Sequence, residues 1–378
     1  SNNLTLMLGR DVSGSGVFAS IAKMPHLLIA GSTGSGKTIC LNTVILSLLF
    51  QNSPAMVKFM LIDPKRVEFQ VYSDIPHLLA PVVVDTQKAI HALKWAVSEM
   101  ERRFEVLSQA KARDIASFNS SKKNIEEQGP LPYIVIVIDE LADLMAARGK
   151  EMEMLVVRLA QMARAVGIHL VLATQRPSVE VITGLIKANI TSRIAFQVAS
   201  QVDSRTVLDM AGAEKLLGNG DMLYLAGDAS KPRRVQGAFV TEKEIRRVAD
   251  YLREEDQRLH PGQMNGTEEV SAMAGPVGQA GGRDQAALWD ERLPVDFEDM
   301  EGETDDELYE EAKKLVIQAQ KASSSLLQRR LRVGYARAAR LMDMLEEREV
   351  IGPGEGAKPR DVYVGSEERA EDDGYHAL

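Results

Sequence analysis

The sequence predicts an α/β fold built on a mostly parallel β-sheet, followed by a second, much smaller domain of helices. Two observations lead to this prediction. Apolar runs such as His26–Ala30 and Tyr133–Ile138 lack polar alternation, which is typical of strands buried on both faces. Between such runs lie longer segments with apolar residues at three- and four-residue spacing, and strands that alternate with helices indicate a parallel sheet covered on both sides.

The same patterns place the other elements of the larger domain. Residues 1–24 are expected to form a short strand and turns, and residues 111–132 a helix end and a loop. Long helices are predicted over 86–110 and 151–166. The remaining predicted strands cover residues 57–63, 167–174 and 190–198, with a terminal hairpin that starts at 220–225.

The charge distribution divides the chain further. Its net charge is −9, but residues 259–303 carry −8 and residues 366–378 carry −4, so the rest of the chain carries +3. Segments this acidic, without apolar periodicity, are typical of solvated chain. We therefore predict a first domain over 1–258, a flexible acidic linker over 259–303, a second domain over 304–365 and a disordered acidic tail over 366–378. A polyanionic partner for the two folded parts is compatible with this balance.

Composition also excludes some classes of protein. No apolar run reaches the roughly 18 residues of a membrane span, and the single cysteine, Cys40, excludes an internal disulfide and a Cys-rich zinc site. The side chains of His26, His77 and His169 show no metal-ligand spacing, and we expect them to be hydrogen-bonded locally. The chain begins with Ser-Asn-Asn rather than Met, so we expect a fragment of a longer protein, in a reduced cytoplasmic setting.

A glycine-rich loop follows the first long strand and precedes a helix. It matches the pattern G-x-x-x-x-G-K-[ST] in the strand–loop–helix setting that this motif requires. Its glycines let backbone N–H groups wrap a phosphate chain. Lys37 can reach the β- and γ-phosphates and is expected to face solvent or phosphate, and the Thr38 hydroxyl can hold Mg²⁺. The sequence therefore predicts a nucleoside triphosphate site at Gly31, Ser32, Thr33, Gly34, Ser35, Gly36, Lys37 and Thr38.

Three polar residues at strand ends complete the predicted site. Asp139 and Glu140 follow an apolar strand, where Asp139 can bind Mg²⁺ and Glu140 can polarise the attacking water. Gln175 follows the next strand and can sense the γ-phosphate or orient water. Parallel sheets bind ligands at the carboxyl ends of their strands, so these residues should lie together. Catalytic roles are thus predicted for Lys37, Glu140 and Gln175, and metal binding for Thr38 and Asp139.

An arginine that reaches the nucleotide of a neighbouring subunit is harder to assign. Four arginines lie in or near strand ends or loops, and for each of them a surface or salt-bridge role is favoured over a contact with a neighbouring nucleotide. The candidates are Arg164, Arg176, Arg193 and Arg205.

The second domain concentrates positive charge. Its pattern predicts helices over 305–321, 323–330 and 335–348, then a glycine-rich turn between two short β runs, which together form a helix-turn-helix with a wing. On the third helix an apolar face opposes an arginine face, as in a recognition helix that enters the major groove of DNA. A solvated basic face is the alternative. The candidate DNA contacts are Lys321, Arg329, Arg330, Arg332, Arg337 and Arg340.

Together these residues resemble the FtsK/SpoIIIE family of bacterial DNA translocases over about residues 4–365. The motifs that carry the resemblance, besides the phosphate loop, are Leu8-Gly-Arg-Asp11, Ile62-Asp-Pro-Lys65, Glu99-Met-Glu-Arg-Arg103, Ile138-Asp-Glu-Leu-Ala-Asp143, Ala173-Thr-Gln-Arg-Pro-Ser178 and, in the basic domain, Gly334-Tyr-Ala-Arg-Ala-Ala-Arg340. One position departs from the family: many members have Asn where this chain has Ala336, and Ala cannot make a bidentate base contact.

The resemblance implies a RecA-like P-loop ATPase with a winged-helix γ domain. The expected activity is Mg²⁺-dependent ATP hydrolysis that moves double-stranded DNA during chromosome segregation and cell division, with the γ domain reading orienting sequences. The expected partners are double-stranded DNA, copies of the chain in a hexameric ring, a site-specific recombinase and division proteins. Full-length members carry membrane helices and another motor subdomain upstream, so a cytoplasmic motor anchored at the inner membrane is expected.

Two other functions stay open on the sequence alone. A protein-export ATPase would share the fold and the motifs of the larger domain, although the basic winged-helix domain argues against it. A nucleotide-switched DNA-binding regulator would share both domains but would not move along DNA; Glu140 favours turnover over switching.

Overall fold

The computed structural model describes residues 4–259, 309–319 and 321–331, together with 338, 341–342, 345–346, 350–352 and 362–363. The chain divides into two compact units, Ser1–Phe297 and Glu298–Leu378. Each unit is described by itself below. None of the helices in the described segments combines the length and the apolar character needed to cross a bilayer.

One mixed sheet organises the first unit. Its strands are β1 (Thr5–Asp11), β2 (Gly16–Ser20), β3 (His26–Ala30), β4 (Val57–Ile62), β5 (Tyr133–Ile138), β6 (Ile168–Thr174), β7 (Ser192–Phe196), β8 (Asp221–Leu225) and β9 (Arg233–Gly237). They are arranged in the order β2-β1-β9-β8-β7-β3-β6-β5-β4. The five strands from β7 to β4 are parallel, and every pairing from β7 to β2 is antiparallel.

The strands β3, β5, β6 and β7 are buried along their whole length, as their continuous apolar sequences predict. The helices of the first unit are α1 (Lys37–Leu49), α2 (Thr86–Gln109), α3 (Ile115–Ser120), α4 (Lys122–Gln128), α5 (Leu141–Met162), α6 (Gly184–Asn189), α7 (Gln201–Leu208) and α8 (Glu242–Leu259). The Asp85 carboxylate accepts the N–H groups of Gln87 and Lys88 and so caps the start of α2.

The predicted α/β fold class is confirmed, with five adjacent parallel strands. Three details differ from the predictions. Residues 1–24 form two strands, which join the hairpin of β8 and β9 and make the sheet mixed. The helix expected over 151–166 begins at Leu141, directly after Glu140, and is interrupted at Arg148 by non-helical backbone angles. The loop expected over 111–132 contains α3 and α4; α3 starts with a capping box between Asp114 and Ser117, a short-range signal that polar composition obscures.

The second unit contains α9 (Tyr309–Ala319) and α10 (Ser324–Leu331). The four residues predicted to form the apolar face of the third helix are all buried, in a core with residues of α9 and α10: Ala338, Leu341, Met342 and Leu345. An antiparallel bridge joins Ile351 to Val362, on either side of the predicted wing. Lys321 and Arg330 are exposed. Arg332, Ala336, Arg337, Arg340 and the Arg329 side chain lie outside the described residues.

Candidate nucleotide site

The loop after β3 is held between the ends of two neighbouring strands. The Gly31 N–H donates to the Thr174 carbonyl at 3.2 Å, and the Ser32 N–H donates to the Gln197 carbonyl at 2.9 Å. Gly36 has a φ of 118°, and a Cβ at this position would lie 2.7 Å from the backbone of Gly220. Only glycine fits there, so this glycine of the motif is required by the packing of the loop as well as by its shape.

Lys37 is the first residue of α1 rather than a loop residue, and it is buried, so of the two expected surroundings, solvent and phosphate, it does not face solvent. Its ammonium donates to Asp139 Oδ1 at 2.5 Å and to the Asp139 carbonyl at 2.7 Å. The second carboxylate oxygen of Asp139, Oδ2, is buried and has no partner among the described residues, and the same holds for Ser35 Oγ. A buried acceptor without a donor is costly, so these two atoms beside the phosphate loop are candidates to contact a bound phosphate or metal.

Glu68 belongs to this site, although no sequence motif indicated it. Its Oε1 accepts a hydrogen bond from the Thr38 hydroxyl at 2.9 Å. Burial raises the pKa of Glu68, and the nearby Asp139 carboxylate raises it further against the opposing effects of Thr38 and Lys37. Glu68 lies in the loop after β4, at the same sheet edge as Asp139, and this placement is the signal that could have identified it.

The oxygen atoms around Thr38 fit Mg²⁺. Mg²⁺ in nucleotide sites is usually held by one or two carboxylates, a hydroxyl, water and substrate phosphates. Thr38 Oγ1, the unpartnered Oδ2 of Asp139 and the Glu68 carboxylate supply hard oxygen donors of this type. Within the described residues, no group of three or more His, Cys, Asp or Glu side chains could hold a metal by itself. The site therefore suits a metal that arrives with phosphates.

Glu140 is fully buried, and its carboxylate is held by three neighbours. Oε1 accepts hydrogen bonds from the Thr174 hydroxyl at 2.6 Å and the Gln175 N–H at 3.1 Å. Oε2 accepts from the Lys65 ammonium at 2.9 Å and from the same N–H at 3.2 Å. Burial raises the pKa of Glu140, but the lowering by these hydrogen bonds together is larger. The pKa of Glu140 therefore lies below its usual value.

Gln175 lies between the phosphate loop and Glu140. Its side-chain carbonyl accepts a hydrogen bond from the Thr33 hydroxyl at 3.0 Å, while its backbone N–H donates to Glu140. The predicted catalytic and metal residues thus lie at the carboxyl ends of β3, β5 and β6, as the parallel topology requires.

A cleft of about 230 Å³ leads away from the loop. Its lining includes Thr33, Lys37 and Thr38 of the phosphate loop and the apolar side chains of Met7 and Phe239. These two side chains are 52% and 75% exposed. A lining that combines polar and apolar side chains suits a nucleotide, whose base is flat and whose phosphates are charged.

The arginine candidates differ in how they are held. Arg193 is almost fully buried, and its guanidinium donates to Asp209 at 2.6 Å and to three backbone carbonyls of its own subunit. Arg176 is exposed and pairs with Asp143 at 2.7 Å. Arg205 on α7 is exposed as well. Arg164 is exposed and precedes β6, at the amino edge of the parallel strands.

Three buried histidines have local partners, and the cysteine lines the cleft. As expected, His26 accepts the Leu170 N–H and His169 pairs with the Pro25 carbonyl, and His77 likewise pairs with the Asn52 carbonyl. Burial raises the pKa of the Cys40 thiol to about 12, which fits a packing role.

Comparisons with known proteins agree with this geometry. Residues 1–179 match the FtsK/SpoIIIE family, and residues 303–365 match the Ftsk gamma domain. The chain is 51% identical over 366 residues to the DNA translocase FtsK of Bacillus anthracis and 51% identical over 369 residues to the DNA translocase SpoIIIE of Bacillus subtilis. Each alignment covers 96% of this chain and 43% of the relative, so the chain spans less than half the length of these curated relatives.

Solved structures resemble the fold of this chain. The pCW3 conjugation coupling protein TcpA, in a structure with ATPγS, is 27% identical with a TM-score of 0.58, and the match covers 66% of this chain and 70% of that one. The cytoplasmic domain of the type VII secretion ATPase EccC from Thermomonospora curvata is 25% identical with a TM-score of 0.59, over 66% of this chain and 31% of that one. The chain has the phosphate loop, matches both domain models and is 51% identical to the two named translocases. It therefore belongs to the FtsK/SpoIIIE family.

Proposed function

We propose that this chain is the motor and DNA-reading part of an ATP-driven translocase of double-stranded DNA, acting in chromosome segregation and cell division. The observation that carries the proposal is the arrangement of Lys37, Asp139, Glu140 and Gln175 around one phosphate loop, in a chain that also matches the Ftsk gamma domain. The arrangement around the loop supports ATP hydrolysis by the larger unit, and the match to the gamma domain supports DNA binding by the second.

In the proposed reaction each residue has one role. The backbone of residues 31–36 binds the phosphates, and Lys37 exchanges its contact with Asp139 for the β- and γ-phosphates. Mg²⁺, when bound through Thr38 and Asp139, supplies neutralisation of the phosphate charge. Glu140 orients and polarises the attacking water, and Gln175 contacts the γ-phosphate.

The adenine base is proposed to lie in the cleft against the apolar side chains of Met7 and Phe239. The same cleft is lined by the phosphate loop, so one bound molecule can contact both.

The second unit is proposed to bind DNA through its basic residues. The sequence predicts that Arg337 and Arg340 share the arginine face of the third helix, from which each could contact the O6 and N7 atoms of a guanine. Replacing both by Ala should remove about 1–3 kcal/mol of discrimination per lost contact, while Lys321, Arg329, Arg330 and Arg332 preserve salt-dependent binding. Binding of the full chain to G-rich and scrambled duplexes over a salt series measures this. An equal loss on both duplexes would limit the two arginines to phosphate contacts.

The motor is proposed to act as a ring of identical subunits, expected to be a hexamer, with an arginine reaching the neighbouring nucleotide. Arg205, Arg176 and Arg164 are the candidates that we retain, because Arg193 is bound inside its own subunit. Mixing Lys37→Ala subunits with an arginine variant restores active sites only if that arginine acts in the neighbour. Family resemblance alone supports the proposed cytoplasmic location with inner-membrane anchorage, and a recombinase and division proteins as further partners.

A protein-export ATPase is the second candidate, favoured by the 25% identity with a secretion ATPase over most of the larger unit. The match of residues 303–365 to the Ftsk gamma domain argues against it. A DNA-binding switch that does not move is the third. ATP hydrolysis that depends on DNA would distinguish a DNA translocase from a protein-export ATPase. Movement of the protein along DNA would distinguish a translocase from a DNA-binding switch.

The deciding experiment is displacement of a triplex-forming strand from duplexes of increasing length, with ATP and Mg²⁺. The expected result is DNA-stimulated hydrolysis and a delay before displacement that grows with duplex length. Glu140→Gln is the matched control, since it should bind ATP and DNA without moving. Hydrolysis that ignores DNA would contradict the proposal, as would displacement without dependence on length.

A further inference from the structure

Glu140 lies where a catalytic carboxylate is needed, but both of its carboxylate oxygens already accept hydrogen bonds from the protein. A carboxylate that polarises water must offer that water one oxygen atom at hydrogen-bond distance. Both oxygens of Glu140 are instead occupied, by the Thr174 hydroxyl, the Lys65 ammonium and the Gln175 N–H, and the side chain has no exposed surface. Some partner of Glu140 must therefore be displaced before hydrolysis.

Lys65 is the partner that can be displaced. Thr174 is a buried residue at the end of β6 and Gln175 contributes its backbone, so both are fixed by the sheet. Lys65 comes from a loop, and a third of its side chain is exposed. Its ammonium sits on a four-carbon chain with several rotatable bonds, so it can leave with little disturbance to the fold.

The loop of Lys65 also touches the phosphate loop. This segment, residues 63–69, is held by the Asp63 carboxylate, whose Oδ2 accepts the N–H groups of Glu68 and Phe69 at 2.9 and 3.1 Å. Within it, Glu68 accepts the Thr38 hydroxyl at 2.9 Å. A single short segment therefore contacts both the residue that meets the nucleotide and the residue that activates water.

We propose that Lys65 is a positioning residue that restrains Glu140 in the empty site, and that segment 63–69 releases this restraint when a nucleotide occupies the phosphate loop. The proposal rests on the function proposed above. Nucleotide binding changes the surroundings of Thr38, Glu68 follows Thr38, and the shared anchor at Asp63 passes the shift to Lys65. The triphosphate also brings negative charge, to which a released ammonium is attracted. One oxygen of Glu140 is then free for water.

The first test compares structures and needs no hydrolysis. The full chain is determined without nucleotide and with Mg²⁺ and ATPγS. In the empty protein the Lys65–Glu140 contact should be present at 2.9 Å. With the analogue it should open beyond hydrogen-bond distance, while the Thr174 contact persists. An unchanged Lys65–Glu140 contact in the nucleotide-bound protein would overturn the proposal, whatever DNA does to the motor.

The second test measures ATP hydrolysis with and without DNA in three variants. Lys65→Met removes the ammonium, Lys65→Arg retains a positive charge, and Arg66→Met removes the adjacent exposed charge as a matched control. Lys65→Met should raise the DNA-free kcat about threefold or more with KM changed less than about twofold, so the stimulation by DNA falls. Lys65→Arg and Arg66→Met should keep the wild-type ratio.

A merely structural role for Lys65 gives a different result. Both rates of Lys65→Met would then fall in the same proportion, together with the melting temperature, and this outcome would overturn the proposal. A wild-type chain whose hydrolysis ignores DNA would instead contradict the proposed function, and the structural comparison would still decide the role of Lys65.

Discussion

The two edges of the parallel sheet carry polar residues of opposite character, although the same strands supply both. At the carboxyl edge, three buried side chains form ion pairs. Lys37 pairs with Asp139, and Glu140 pairs with Lys65. At the amino edge, His26 and His169 are buried, and burial lowers their pKa values to about 3 and about 4, so both are neutral at pH 7. Buried charges occur at both edges, since Arg103 pairs with Glu99 at 2.6 Å beside the starts of β5 and β6. Those of the carboxyl edge adjoin the phosphate loop, where a bound nucleotide can rearrange them.

The difference shows that the ion pairs available to a ligand lie at the carboxyl edge of the sheet. Charges taken out of water are costly unless they are paired, and paired charges can exchange partners with a ligand. Neutral side chains stacked at the amino edge, such as Tyr133 on His169 with ring centroids 6.0 Å apart, contribute only packing. Substitutions at the carboxyl edge should therefore change activity more than stability, and the reverse should hold at the amino edge.

The largest effect is expected for Lys37→Ala. Turnover should fall by about 10³-fold or more, because the loop loses the cation that meets the phosphates. The variant also leaves the Asp139 carboxylate buried without its cation, which is strongly destabilising. Hydrolysis rates and urea unfolding measure the two effects separately.

A double variant serves as the control for stability. Lys37→Ala with Asp139→Asn should recover most of the lost free energy of unfolding and none of the activity, since no unpaired charge remains. Normal hydrolysis by a folded Lys37→Ala protein would contradict the nucleotide site itself.

Glu140→Gln should follow in size. We expect turnover to fall about 10²-fold, the scale of a lost general base, while ATP affinity holds because Lys37, Thr38 and Asp139 remain. Binding of a fluorescent ATP analogue and steady-state hydrolysis test this. If the variant hydrolyses ATP at the normal rate, another residue positions the water.

Glu68→Gln should sharpen the assignment of the metal ligands with a smaller effect. The variant keeps an acceptor for Thr38 but loses a negative charge near Asp139. Nucleotide affinity in Mg²⁺ should fall by about 10-fold, the low end of the range for outer-sphere partners of a metal, and affinity in EDTA should stay unchanged. A change of equal size in both conditions would remove Glu68 from the metal site.

The smallest effect is expected at the amino edge, where the two histidines should make the free energy of unfolding depend on pH. His26 and His169 remain neutral in the folded chain, whereas unfolded histidines bind protons below about pH 6.5. The unfolded state thus binds more protons as pH falls from about 6.5 toward 4, so the free energy of unfolding should decrease by up to about 1.4 kcal/mol per pH unit per histidine.

Urea unfolding between pH 7.5 and pH 5 measures this slope. His169→Gln should reduce the slope without changing the kinetics of ATP hydrolysis at pH 7.5. An unchanged slope in the variant would show that other groups cause the acid sensitivity of the protein.

Sequence patterns predicted the fold class and the motifs of the candidate site. The loop at residues 31–38 and the acids 139 and 140 were recognisable because each motif is local and adjoins an apolar strand. The terminal hairpin and a strand within residues 1–24 were also predicted, but their pairing was not, since β1 pairs with β9 across more than 200 residues. Helices α6 and α7 were missed because their short stretches show no clear repeat; Thr183 and Ser200 cap them.

The sequence by itself indicated the nucleotide chemistry and a larger α/β domain followed by a small helical one with a basic segment at residues 321–340. Glycine spacing, the Lys-Thr pair and the acids after an apolar strand are properties of consecutive residues, so they can be recognised without a fold. Only the tertiary structure decided that Lys37 pairs with Asp139, that Lys65 and Thr174 hold Glu140, and that Glu68 joins Thr38. These partners lie 30 to 102 residues apart in the chain, and only the parallel topology, which aligns the carboxyl ends of β3 to β6, brings them within hydrogen-bond distance.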